Sequence, residues 1–198
     1  MVGTMRVTDS SRFVAERARG WLADSTLATP VMPALPVIDL GPGELDRRTA
    51  PHIIAAVADA LDRGETHYTA RSGIAPLRHA LAARIAAENG IAYDPQSEIL
   101  ISSGGQEGLF VAVQMLVRPS DEVLLADPGY PTYADAVRLA GGVCVPVPID
   151  PTAGVGLTAD AIAPRLTPRT RLLVLVSPDN PTGAVIGRDE MAKIAALA

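Results

Sequence analysis

Arg171-Leu172-Leu173-Val174-Leu175-Val176 runs directly into Ser177-Pro178-Asp179-Asn180-Pro181-Thr182-Gly183. An unbroken apolar run with no polar alternation predicts a strand buried on both faces, as in a parallel sheet covered by helices. The residues that follow are turn chemistry, and X-Pro bonds in tight turns are where cis peptides occur. At such a turn the Asn180 amide is able to bind a ring oxygen, or to close an Asx-type turn with no ligand at all.

Upstream the same rhythm repeats. Ile99-Leu100-Ile101, Val123-Leu124-Leu125 and Val143 to Val147 are predicted as strands. Helical spacing predicts helices over Gln106 to Val117, Tyr133 to Ala140, Thr158 to Leu166 and Arg188 to Leu197. Strands alternating with helices argue an α/β fold, a three-layer α/β/α arrangement with a mostly parallel sheet. Ligands in such sheets sit at the carboxyl ends of the strands. The chemistry is therefore expected in the loops after Ile101, Leu125 and Val176.

Before these elements, Ile53, Ile54, Val57, Ala58 and Leu61 give a helical stripe, with Thr49 as the expected cap and Pro51 in the first turn. A second helix is predicted from Pro76 to Glu88, ending near Gly90. Residues 13–22 look helical with Ser10 or Ser11 as cap. Pro30, Pro33 and Pro36 mark residues 25–36 as a connector, and Val37 to Leu40 is extended before the turn Gly41-Pro42-Gly43.

Composition narrows the classes. At 48% hydrophobic and 20% charged over 198 residues, the chain buries a core and is not globally disordered. Net charge is -5, and no Lys/Arg cluster exceeds the pair Arg47-Arg48, which argues against nucleic acid as a partner. One cysteine, Cys144, makes neither an internal disulfide nor a thiolate metal site, so a reducing, cytoplasmic setting is expected. No apolar leader and no stretch of membrane-spanning length is seen, so no membrane association is expected. His52, His67 and His79 lack metal-ligand spacing. Lys193 is the only lysine, and its place in a short amphipathic helix predicts a solvated side chain, with Met191, Ile194 and Ala195 on the buried face.

Three loops carry the chemistry. In Ser102-Ser103-Gly104-Gly105-Gln106, two glycines allow a tight turn and the following helix presents its N–H groups and positive dipole end to an anion such as phosphate. It is neither a Walker loop nor a dinucleotide fingerprint, and a plain strand-to-helix turn would also need glycine. In Asp127-Pro128-Gly129-Tyr130-Pro131-Thr132-Tyr133, an aromatic held between prolines is either a stacking face for a flat ring or a rigid turn with a core tyrosine. The third loop is the Asn-Pro turn.

Their order and spacing resemble the class I/II aminotransferases, the fold-type I pyridoxal-phosphate enzymes. The likeness runs through LGPGELD at 40–46, GETHYTARSGIAPLRHALA at 64–82 and ENGIAYDPQSEILISSGGQEGL at 88–109. It continues through VRPSDEVLLADPGYPTY at 117–133, LAGG at 139–142 and LTPRTRLLVLVSPDNPTGAV at 166–185. The resemblance implies pyridoxal 5'-phosphate as cofactor, with an amino acid and a 2-oxo acid as substrates. Gly104, Gly105 and Gln106 match the segment whose backbone binds the phosphate. Tyr130 matches the aromatic stacked on the ring, and Asn180 the residue bonded to the ring hydroxyl oxygen. Gly43 matches a backbone contact to the substrate carboxylate. Tyr68 matches a tyrosine reaching the phosphate of a neighbouring subunit, which implies a homodimer. Asp127-Pro128 and Asn180-Pro181 are implied to be cis.

By the same resemblance, residues 1–46 are an arm contributing to a small domain, and 47–198 are the first part of the large cofactor-binding domain. The sheet and the small domain are then incomplete within these 198 residues. The family's Schiff-base lysine, pyridinium-pairing Asp and carboxylate-binding Arg have no counterpart here, so this chain by itself is expected to be inactive. A non-catalytic truncated member, or a lyase or synthase of the same fold type, are the alternatives.

Overall fold

The computed structural model describes residues 47–150, 154 and 156–198. The expected helix over 13–22, the connector, the extended 37–40 and Gly43 lie outside these residues. The described residues fall into two compact units, 47–102 and 103–198.

In the first unit, α1 spans Pro51–Asp62 and α2 spans Ala75–Asn89. Proline at the first helical position has its φ preset and lacks only a donor that the helix would leave unpaired. That moves the cap of α1 to Ala50, whose carbonyl accepts from Ile53 and Ile54 N–H at 2.9 and 3.2 Å, and corrects the expectation of a Thr49 cap. The stripe Ile53, Ile54, Val57 and Leu61 stays 48% to 59% exposed. Helix α2 ends at Gly90 in the left-handed conformation, φ 70°. Its Arg78 guanidinium donates to the carbonyls of Gly73 (3.2 Å), Pro95 (2.5 Å) and Gln96 (3.1 Å), tying the helix to both flanking turns.

Ile99-Leu100-Ile101 is not a strand, which corrects the sequence expectation. Ile101 N–H donates to Ser72 carbonyl at 3.1 Å, but no ladder pairs these residues, and Leu100 is 60% exposed. Three apolar residues suffice for the pattern; a strand needs a partner as well.

The second unit holds α3 (Gly105–Leu116), β1 (Glu122–Asp127), α4 (Pro131–Leu139), β2 (Val143–Pro148), α5 (Ala159–Ile162), β3 (Thr170–Leu173) and α6 (Arg188–Ala195). The three strands form a parallel sheet in the order β2-β1-β3. Side chains of β1 alternate between two apolar layers, as the two-residue period of a strand requires. Val123 and Leu125 pack with Val113, Val117, Ala136 and Val137 from α3 and α4 and their flanks. Leu124 packs on the other face with Val147, Leu157, Ile162, Ile186 and Ile194. Helices on both faces of a parallel sheet give the predicted three layers.

Two predicted elements are shorter than their patterns. Thr158 caps α5, its hydroxyl accepting from Ala161 N–H at 3.2 Å, but Pro164 lacks the donor needed to continue. The expected helix to Leu166 therefore tightens into a 3-10 turn over Ala163–Arg165. Strand β3 carries a register shift between Thr170, paired with Glu122, and Leu172, paired with Val123, and its last link to β1 is Val174 N–H to Leu124 carbonyl at 3.1 Å, so Leu175 and Val176 leave the ladder. Arg171, at the shift, donates to the Leu116 carbonyl at 3.1 Å, satisfying a carbonyl that α3 leaves open at its C-terminus. On α6, Ile194 is buried and Met191 half-buried as expected, whereas Ala195 is exposed.

Glu122 opens β1 and is buried, 5% exposed. Its carboxylate accepts from the Thr167 hydroxyl at 2.5 Å and from the Arg169 guanidinium through Nε at 2.9 Å and a second nitrogen. The Thr167 hydrogen bond first, and then Arg169, hold this carboxyl below its ordinary value of 4.5. A depressed folded-state value gives stability that is present above the unfolded value and is lost as pH falls from about 4.5 through the folded value. Glu122→Gln keeps an acceptor but loses the charge. Melting of the full-length variant is expected at a lower temperature than wild type at pH 7, with the gap closing as pH falls from about 4.5. A gap that is unchanged on acidification would contradict this.

Candidate functional site

Helix α3 begins at Gly105, and Gly104 precedes it with φ 83° and ψ 170°, a conformation that only glycine adopts without strain. The first intrahelical bond runs from Gly108 N–H to Gly104 carbonyl at 3.4 Å, so the N–H groups of Gly105, Gln106 and Glu107 have no acceptor within the helix. Glu107 turns back to accept the Ser103 N–H, fixing the loop that enters the helix. This is the capping-box arrangement shifted by one residue, and its sign in the sequence was the acid three positions after Gly104. A methyl group built on Gly105 would meet nothing within 4 Å. The helix start thus opens onto space rather than onto packed side chains, and the dipole and N–H groups there favour an anion.

Tyr130 caps α4, with Pro131 as the first helical residue. Its ring meets Tyr133 edge-on, centroids 5.6 Å apart at 66°. Its hydroxyl accepts from the Gln106 side-chain amide at 2.9 Å. The first two sequence-predicted loops are therefore in direct contact. The third loop meets the second at a cavity of about 410 Å³, within the range of small-ligand pockets, which no residue of 102–106 lines. Leu125, Asp127, Tyr130, Tyr133, Cys144, Pro146, Val176 and Asp179 are among the residues lining it.

Asp179 is the residue of the third loop that the sequence pattern missed. It is 8% exposed, and its carboxylate accepts the Thr182 hydroxyl at 2.7 Å and the Thr182 N–H at 3.3 Å. Its backbone N–H donates to Ala184 carbonyl and its carbonyl accepts from Gly183, both at 2.8 Å. The Asx turn is thus made by Asp179, leaving the neighbouring Asn180 exposed and outside the turn's own bonding. The signal was the spacing from Asp179 to Thr182. Asp127-Pro128 and Asn180-Pro181 are cis as expected, and so is Ser177-Pro178.

Cys144 is half-buried, with its thiol toward Ala134 carbonyl at 3.6 Å, and burial pushes the thiol pKa up. It is a poor nucleophile in that setting. Lys193 is solvated, its ammonium 3.0 Å from Glu190, and no lysine lines the cavity. That hydrogen bond to Glu190 raises the ammonium pKa, keeping the amine charged and unreactive. In the first unit Tyr68 is fully exposed at 105%. Gly43 lies outside the described residues. Among the described residues no His/Cys/Asp/Glu group is arranged to hold a metal ion, and no helix is long and apolar enough to cross a membrane.

Residues 36–198 match the family described as Aminotransferase class I and II. The chain belongs to that family. Over 162 residues it is 43% identical to a protein of Mycobacterium tuberculosis named as a probable N-succinyldiaminopimelate aminotransferase, DapC, covering 81% of this chain and 41% of that one. It is 41% identical over 149 residues to an aspartate aminotransferase of Rhizobium meliloti, covering 75% and 36%. The solved structure of the M. tuberculosis N-succinyldiaminopimelate aminotransferase superposes with TM-score 0.77 at 42% identity, over 80% of this chain and 42% of that one. An aromatic aminotransferase from Pyrococcus horikoshii superposes with TM-score 0.78 at 38% identity, over 81% and 43%. The chain spans about two fifths of the length of the aminotransferases it resembles, and the parallel sheet with its three loops is the part of the aminotransferase fold described here.

Proposed function

We propose that this chain supplies the cofactor-binding part of a pyridoxal-phosphate-dependent aminotransferase, which moves an amino group from an amino acid to a 2-oxo acid. Two observations within one unit carry it: the Tyr130 ring is bonded to Gln106 at the α3 start, and Tyr130 and Asp179 line one cavity.

These residues fit a phosphorylated flat ring. The open space at Gly105, at a helix start whose first N–H groups have no acceptor within the helix, suits a phosphate dianion. Tyr130 offers an aromatic face whose edge is fixed by Tyr133. Asn180, released from turn-making by Asp179, has an amide able to donate to a ring oxygen. When bound, pyridoxal phosphate supplies an electron-withdrawing ring that takes up the charge left as a substrate's α-proton departs. The backbone of 104–106 binds and anchors, Tyr130 orients the ring plane, and Asn180 holds a hydrogen bond at the ring edge. No covalent step is assigned to Lys193. Tyr68, exposed and free of packing, suits the expected reach toward a second copy, which favours a homodimer.

Titration of the full-length apoprotein with pyridoxal phosphate tests this. Saturable binding that inorganic phosphate weakens by competition is expected. Absence of binding at millimolar ligand would overturn the assignment.

A further inference from the structure

The side chain of Gln106 has no part in the anion cradle, which is backbone. Yet its amide Nε2 lies 2.9 Å from the Tyr130 hydroxyl, across 24 residues of sequence. Tyr130 sits between Pro128 and Pro131, at the cap of α4, where the backbone has little freedom. The remaining freedom is rotation of the ring about its side-chain bonds. Tyr133 limits that from one edge, in a T-shaped contact that leaves the hydroxyl end to another partner. The Gln106 amide pins the far end, the hydroxyl, to the first turn of α3.

We propose that Gln106 is a positioning residue: its backbone belongs to the phosphate seat, and its side chain fixes the Tyr130 ring at a set spacing from that seat. This rests on the cofactor assignment above and deepens it. The consequence is selectivity for a phosphate carried on a flat ring over phosphate alone. One residue sets both ends of the ligand, so the plate cannot tilt away without breaking the bond to the residue that anchors the anion.

The two ends of the bond are tested separately. Gln106→Ala keeps the backbone N–H, and Tyr130→Phe keeps the stacking face; each removes only the hydrogen bond. Gln106 is exposed and Tyr130 half-exposed, and if one variant fails to fold the other reports the same bond. In the full-length apoprotein, affinity for pyridoxal phosphate is expected to fall about three- to tenfold in each variant. The double variant is expected to lose no more than either single one, because both substitutions break one interaction. Affinity for inorganic phosphate is expected to stay within about twofold of wild type in all three, since backbone groups hold it. A merely structural role would lower both affinities together. Multiplicative losses in the double variant, or an unchanged pyridoxal phosphate affinity in Gln106→Ala while wild type binds, would overturn the positioning role alone. Wild-type protein that binds inorganic phosphate with no gain from the attached ring would overturn the cofactor assignment, and this role with it.

Discussion

In the full-length protein, Gly105→Val lowers affinity for pyridoxal phosphate by roughly one to four orders of magnitude and removes the stabilisation given by inorganic phosphate. The magnitude is that of one or two charge-assisted hydrogen bonds at about 1.5–3 kcal/mol each. The two glycines have different duties. Gly104 holds φ 83°, so its requirement is conformational, whereas Gly105 is already helical and nothing lies within 4 Å of where its Cβ would be. Valine at 105 is thus compatible with the helix start but fills the space in which a dianion would approach the N–H groups. Tyr130→Ala also weakens pyridoxal phosphate, yet leaves the response to inorganic phosphate intact because it removes only the ring's stacking partner. Thermal-shift titrations with both ligands separate these cases. Equal phosphate responses in Gly105→Val and wild type would return the pair to an ordinary turn.

Leu124→Ala is expected to cost about 2–5 kcal/mol of folding stability, the range for truncating a fully buried leucine. Leu124 has no exposed surface and sits in the central strand, where it packs in one cluster with Ile162, Ile186 and Ile194. The adjacent Val123 and Leu125 face the opposite layer, and the neighbour on Leu124's own face, Ala126, is too small to close the gap. Denaturant unfolding of the full-length variant should show a lower midpoint with an unchanged slope. A loss under about 1 kcal/mol would mean that the layer collapses to fill the cavity, and that Leu124 is not the centre of the packing described.

The parts of the fold visible in the sequence are those where one signal decides. Val123-Leu124-Leu125 and Val143 to Val147 read as strands because short apolar runs bounded by Gly and Pro have few alternatives, and both pair in parallel. The helix starts at Pro51, Gly105 and Pro131 lie within two residues of expectation, since Pro and Gly punctuate the backbone directly. What failed depended on partners. Ile99-Leu100-Ile101 has strand composition without a neighbour to bond, and Leu175-Val176 continue an apolar run after β3 has left the ladder. The helix expected through Leu166 broke at Pro164, a signal that was present and outweighed by the apolar spacing.

The site was legible in its loops and less so in its side-chain economy. Gly104, Gly105 and Tyr130 stand out by residue type alone. The hydrogen bond from Gln106 to Tyr130 links positions 24 apart and has no local sign. The sequence leaves Asn180 open between a ring-oxygen contact and an Asx turn; the turn is made by Asp179, whose carboxylate reaches Thr182. Composition alone cannot tell which of two adjacent Asx residues makes the turn; their accessibility decides it.

The most direct test follows nitrogen. The full-length protein, supplied with pyridoxal phosphate, a nitrogen-15-labelled amino acid and an unlabelled 2-oxo acid, is expected to move the label into the α-amino group of the new amino acid. Transfer should depend on added cofactor once the protein is stripped of it, and labelled product should match donor consumed mole for mole. Release of the label as ammonia, or consumption of donor without a labelled amino acid appearing, would contradict amino-group transfer and leave only the family's fold in place.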